Sequence, residues 1–162
     1  PLNLIYVGEL NKIFPNAKFI FALRHPCDCV LSCFMQNFKL NDYMANFLNI
    51  QDSIKMYDLV MTLWKHYTTS LYINYYTIKY EDVVNNFNNS IKNLLDFLDI
   101  SWSDDVLEFH KTAQSRNIIS TPSYDQVYKP IYLSSTNRWK NYEAKFNNNL
   151  PILKKWIKEF NY

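Results

Sequence analysis

Glycine is almost missing from this chain: Gly8 stands alone among 162 residues. Loops that cradle phosphate need several glycines, because their backbone N–H groups converge only in conformations that other residues resist. A Walker-type loop and a dinucleotide fingerprint are therefore excluded, and any nucleotide site here is incomplete or built from side chains. An excess of one charge is lacking too. Seventeen basic and fifteen acidic residues leave +2, too little to argue for a nucleic-acid or membrane surface. No apolar run approaches the roughly 18 residues of a membrane span, and no signal peptide is visible. The chain opens on Pro1 rather than Met and reads as a fragment. Cysteine is scarce, and Cys27, Cys29 and Cys33 all fall within one short helix. An odd, clustered set forms no disulfide framework. Cys29 and Cys33 share a helix face, yet no His or second Cys pair completes a metal site. The three read as small buried hydrophobes, which favours a reducing, cytoplasmic compartment.

What is present is a core. Hydrophobic residues make up 48% and aromatics 17%, with thirteen Tyr, so one domain's worth of chain has enough apolar material to pack. The chain is organised around residues 18–32. Phe19 to Leu23 is an unbroken apolar run of strand length, which predicts a strand covered on both faces, as in a parallel α/β sheet. His25-Pro26 stops it, and Pro26 suits the first position of a helix. Asp28 falls in the first turn, where a carboxylate favours the helix dipole. Arg24 thus leaves the carboxyl end of a strand beside a helix N-terminus, where open α/β sheets bind ligands and where anions are favoured. Ser32, two turns on, offers a hydroxyl to the same ligand. The same residues also fit a strand-end Arg paired with Asp28 and a helical Ser bonded to its own backbone.

Further along, Asn3 to Phe14 carries a helical pattern that Pro15 ends, and residues 26–37 form the helix after the strand. Residues 38–50 read as a loop with short helical turns. Gln51 to Tyr72 is a long amphipathic helix with Ile54, Tyr57, Leu59, Val60, Leu63, Trp64 and Leu71 inward. Tyr75 to Tyr80 alternates as a second strand. Ser90 is expected to cap a helix facing inward through Ile91, Leu94, Leu95, Phe97 and Leu98, Ser103 opens a short helix, and Asn147 to Tyr162 closes with one.

An apolar strand, then Arg24, then Ser32 on the next helix resembles the 3′-phosphate motif of sulfotransferases. In that family the pair holds the 3′-phosphate of 3′-phosphoadenosine 5′-phosphosulfate (PAPS). The physical logic agrees, because guanidinium matches phosphate oxygens bidentately and a hydroxyl completes the shell. Thr121 to Tyr132, followed by Arg138-Trp139, resembles the late PAPS-binding loop of tyrosylprotein sulfotransferases and of bacterial sulfotransferases with tetratricopeptide repeats. Ser123, Gln126, Val127, Pro130, Ile131, Arg138 and Trp139 match in order and spacing. Tyr80-Glu81-Asp82 is similar to a family segment whose Tyr contacts the adenosine part. The resemblance has gaps: the glycine-bearing 5′-phosphosulfate loop is absent, the family's catalytic Lys or His falls just before Pro1, and Gln36 stands where the tyrosylprotein enzymes have Arg.

The resemblance implies a three-layer α/β fold with the parallel sheet of the P-loop-like sulfotransferase core, of which residues 1–162 form the helix-rich C-terminal part. It implies sulfuryl transfer from PAPS to a hydroxyl acceptor, which includes protein tyrosine, by a protein with upstream tetratricopeptide repeats as one arrangement. Arg24 and Ser32 are expected to bind the 3′-phosphate, Tyr80 the adenosine, and Ser123, Gln126, Val127, Pro130 and Ile131 to close over the nucleotide. Arg138 is expected at its phosphates, and Ser123 as the catalytic residue stabilising charge on the bridging oxygen. No metal, nucleic acid or membrane is called for, and the fragment alone is expected to be inactive. A nucleotide kinase-like phosphotransferase fragment and a non-catalytic nucleotide-binding or interaction module are the competing classes.

Overall fold

The computed structural model describes residues 2–109, 111, 135–146 and 149–162. After a 3-10 turn at Asn3–Tyr6, helix α1 runs Val7–Ile13 and strand β1 Lys18–Leu23. Helix α2 spans Pro26–Met35, a 3-10 turn Met44–Phe47, and helix α3 Ile50–Ser70. Strand β2 is Asn74–Lys79, followed by α4 at Tyr80–Asn85 and α5 at Phe87–Leu98. Short 3-10 segments lie at Asp104–Glu108 and Arg138–Lys145, and α6 is Leu150–Glu159. Among the described residues the sheet is one parallel pair, β1 with β2, in register from Lys18↔Asn74 to Leu23↔Lys79.

The local chemistry explains the boundaries. Pro26 opens α2, and His25 caps it by accepting the Cys27 N–H on its ring. Asn49 caps α3 through the Asp52 N–H at 2.8 Å. The one glycine serves packing, not a turn. A Cβ on Gly8 would come within 2.7 Å of the Tyr67 ring, whose hydroxyl donates to the Ile5 carbonyl at 3.1 Å.

One face of β1 is buried through Phe21 and Leu23 against α3 and α6. Phe21 packs on Trp64 with ring centroids 4.7 Å apart and on Phe160 at 5.9 Å. Ile54, Val60, Met61, Leu153 and Trp156 complete this core, each fully buried large side chain contributing about 1.5–3 kcal/mol. The other face differs from the expectation of cover on both sides. Ile20 is 46% exposed and Ala22 is exposed, because on that face α5 lies over β2, with Phe97 stacked on Tyr76 at 5.5 Å, rather than over β1.

Two further expectations are corrected. Leu59 and Leu71 point outward at 65% and 39% exposure. The buried stripe of α3 runs instead through Ser53, Ile54, Tyr57, Val60, Met61 and Trp64. Ser90 lies inside α5, which starts at Phe87, so it is not the cap. Ser103 does cap the next segment, accepting the Asp105 N–H at 3.3 Å.

Candidate functional site

The site follows from the strand register. Continuing one and two residues past Leu23↔Lys79 sets Arg24 beside Tyr80 and His25 beside Glu81. The Arg24 guanidinium accordingly lies over the Tyr80 ring, 5.2 Å from its centroid, a cation–π placement. One terminal nitrogen, Nη2, donates to the Ser135 carbonyl at 2.5 Å. Arg24 Nε is buried and has no partner among the described residues. An unpartnered guanidinium N–H costs free energy unless something accepts from it. An oxyanion is the natural acceptor.

Around this arginine, the N-terminus of α2 is tied to three distant parts of the chain. Asp28, 1% exposed, accepts the Trp139 backbone N–H on Oδ1 at 2.8 Å. It does not pair with Arg24 among the described ion pairs, and its Oδ2 has no partner among the described residues. Glu81 Oε1 accepts the His25 backbone N–H at 3.0 Å, while Oε2 accepts the Tyr162 hydroxyl at 2.7 Å. The His25 ring stacks on Trp139 at 5.3 Å and 7° and meets the Tyr162 ring edge-on at 5.2 Å. Burial lowers the His25 pKa against the opposing pull of Asp28 and Glu81. Burial, reinforced by the bond to Glu81, raises that of Tyr162. The site is held by neutral rings and hydrogen bonds rather than by a cluster of cations.

A cavity of about 390 Å³ opens at Arg24 and runs along β1 between Leu4, Val7, Leu10, Phe19, Met61 and Tyr57. It is apolar apart from Arg24, Asn3 and the Tyr57 hydroxyl, which is buried without a partner among the described residues. Of the three cysteines, Cys29 lines it. Burial pushes Cys27 up to about 12. The hydrogen bond between Cys29 and Cys33 raises Cys29 and lowers Cys33. All three are free, and no metal-holding group of His, Cys, Asp and Glu occurs among the described residues.

Of the expected site residues, the fold brings Arg24 and Tyr80 together. Ser32 is exposed on α2, and Arg138 is exposed at the start of its 3-10 segment while Trp139 turns inward. Ser123, Gln126, Val127, Pro130 and Ile131 lie outside the described residues. The set recognised in the sequence did not include Tyr162, and no local pattern marks it. Glu81 could have been found by extending the strand register.

A strand-end arginine on an aromatic ring, beside a helix N-terminus, is an arrangement at which open α/β sheets favour anions. The comparisons narrow the class. Residues 1–104 match the Sulfotransferase family, and the chain belongs to that family. It is 30% identical over 160 residues to an uncharacterized protein of Aquifex aeolicus, covering 98% of this chain and 21% of that protein. It is 27% identical over 149 residues to the protein-tyrosine sulfotransferase of Drosophila melanogaster, covering 86% of this chain and 28% of the relative. Protein-tyrosine sulfotransferase 2 of Gallus gallus is also 27% identical over 149 residues, at 86% and 38%. The chain thus spans between a fifth and two fifths of the length of these three relatives. Among the described residues no helix is long and apolar enough to cross a membrane.

Proposed function

We propose that this chain holds the adenosine 3′-phosphate end of PAPS in a protein that transfers a sulfuryl group to a hydroxyl acceptor. The names of the relatives point to protein tyrosine as the acceptor class. One observation carries the reading: Arg24 Nε is buried without a described partner, beside a helix N-terminus and on the Tyr80 face. Those residues suit a phosphate, because the planar fork donates to two oxygens and the helix end favours negative charge.

In this reading Arg24 binds the 3′-phosphate, Ser32 completes its shell, and Tyr80 borders the adenosine. Ser123, Gln126, Val127, Pro130 and Ile131 close over the nucleotide, Arg138 meets its phosphates, and Ser123 stabilises charge on the bridging oxygen. PAPS supplies the sulfuryl group when bound. The chain's own contribution is to fix the nucleotide's position, which matters to rate as well as affinity. With a single glycine the 162 residues carry no glycine-bearing phosphosulfate loop, so by this reading the chain alone transfers nothing.

Arg24→Ala in the full-length protein is expected to weaken adenosine 3′,5′-bisphosphate by about 2–3 kcal/mol, the loss of a charge-assisted bidentate contact. Adenosine 5′-phosphate, lacking the 3′-phosphate, should bind both proteins almost equally. Isothermal titration decides, and equal losses for the two ligands would remove Arg24 from the site.

A further inference from the structure

Three consecutive residues at the end of β2 make three different long-range attachments. Lys79 Nζ donates to the Asn161 carbonyl at 3.1 Å and sits 4.6 Å from the centre of the Tyr162 ring. Tyr80 lies against the Arg24 guanidinium. Glu81 divides its carboxylate between the His25 backbone N–H and the Tyr162 hydroxyl. The peptide that Glu81 grips joins Arg24 to His25, so the carboxylate fixes the backbone from which the Arg24 side chain departs. Tyr162 braces the other oxygen, and its own ring packs on His25.

We propose that Glu81 is a positioning residue for the Arg24 anion site: it locks the Arg24–His25 peptide against β2 so that the guanidinium stays on the Tyr80 ring. The proposal rests on the nucleotide reading above and deepens it. Charge alone argues the opposite way. A carboxylate close to an anion site repels the ligand, so removing it should tighten phosphate binding if Glu81 acted only through its field. Positioning predicts weaker binding on truncation, because the freed peptide lets the arginine leave its aromatic platform. The two accounts therefore differ in sign.

The charge-neutral isostere separates geometry from charge. In Glu81→Gln the amide oxygen still accepts from the His25 N–H, and its NH₂ still donates to the Tyr162 oxygen. This variant keeps the clamp and loses the repulsion. Glu81→Ala loses both, and Tyr162→Phe removes one hydroxyl while leaving the ring on His25.

The experiment is titration of the full-length protein and these three variants with adenosine 3′,5′-bisphosphate and adenosine 5′-phosphate. Thermal unfolding is measured alongside. Glu81→Ala should lose about tenfold for the bisphosphate and under about twofold for the monophosphate, the worth of one hydrogen bond to a charged group. Glu81→Gln should bind the bisphosphate at least as tightly as the parent. Tyr162→Phe should lose about threefold for the bisphosphate and almost nothing for the monophosphate, and it decides the matter if Glu81→Ala does not fold. An unchanged or raised bisphosphate preference in Glu81→Ala, whatever its thermal stability, overturns the positioning role; so does a Glu81→Gln variant as weak as Glu81→Ala. Failure of the parent protein to bind either nucleotide discards the nucleotide reading itself.

Discussion

His25 shows how one side chain can serve capping, packing and pH response together. Its Nδ1 accepts the Cys27 N–H, which requires the neutral ring. Burial between Trp139 and Tyr162 lowers its pKa and outweighs the upward pull of Asp28 and Glu81, while Lys140 and Arg24 push the same way as burial. The unfolded chain therefore takes up a proton near the ordinary value of about 6.5, where the folded chain does not. Stability is greatest above that value and falls as pH drops below it, until the folded ring itself protonates. Urea unfolding between pH 5 and pH 8 should show this slope. His25→Asn keeps an oxygen to cap the helix and should lose that part of it; an unchanged slope would assign the pH response to other groups. The cap was only half legible in the sequence. Pro26 announced the helix start, but nothing local said that His25 would be roofed by rings from residues 139 and 162.

At the scale of elements, α2 is the hub. Its first turn receives the segment 135–146 through a single buried carboxylate, Asp28, bonded to the Trp139 N–H. Truncation to Ala leaves that buried donor without a partner, a loss of about 1–3 kcal/mol. Asp28→Asn keeps an acceptor and should lose much less. Denaturant midpoints measure the difference, and hydrogen exchange at the Trp139 amide should accelerate in the Ala variant alone. A loss of only a few tenths in Asp28→Ala would show that Trp139 is held by packing. The strands and helices themselves were largely readable. Proline, apolar runs and periodicity placed β1, α2, α3 and β2 within a residue or two of their observed limits. The phase of a helix was less secure. Apolar residues ring α3 on more than one side, so Leu59 and Leu71 fitted an inward stripe in the sequence although α2 and α6 cover a different one.

For the whole molecule, the outer edge of β1 is an open one among the described residues. Among the described residues β1 pairs only with β2, so its other edge carries unpaired N–H and C=O groups beside exposed Ile20. Such an edge is a template for another strand. The 162-residue chain should therefore self-associate with rising concentration in sedimentation velocity, and Ile20→Lys should reduce it. A single species over the whole concentration range would mean the edge is covered in solution. The class of the protein was legible in the sequence alone. An apolar strand, Arg24, Pro26 and the order of the later motifs are local chemical facts, and the family they pointed to is the one the chain belongs to. Scarcity of glycine likewise leaves any nucleotide site in the chain either incomplete or built from side chains. Only the tertiary structure decided which side chains surround Arg24. Tyr80 lies on its guanidinium, and Glu81, Trp139 and Tyr162 hold the neighbouring His25 and Asp28, through strand register and through contacts across most of the chain's length. Sequence periodicity reports which face of an element is buried; it carries no information on what lies against that face, because that is set by packing between segments far apart in the chain.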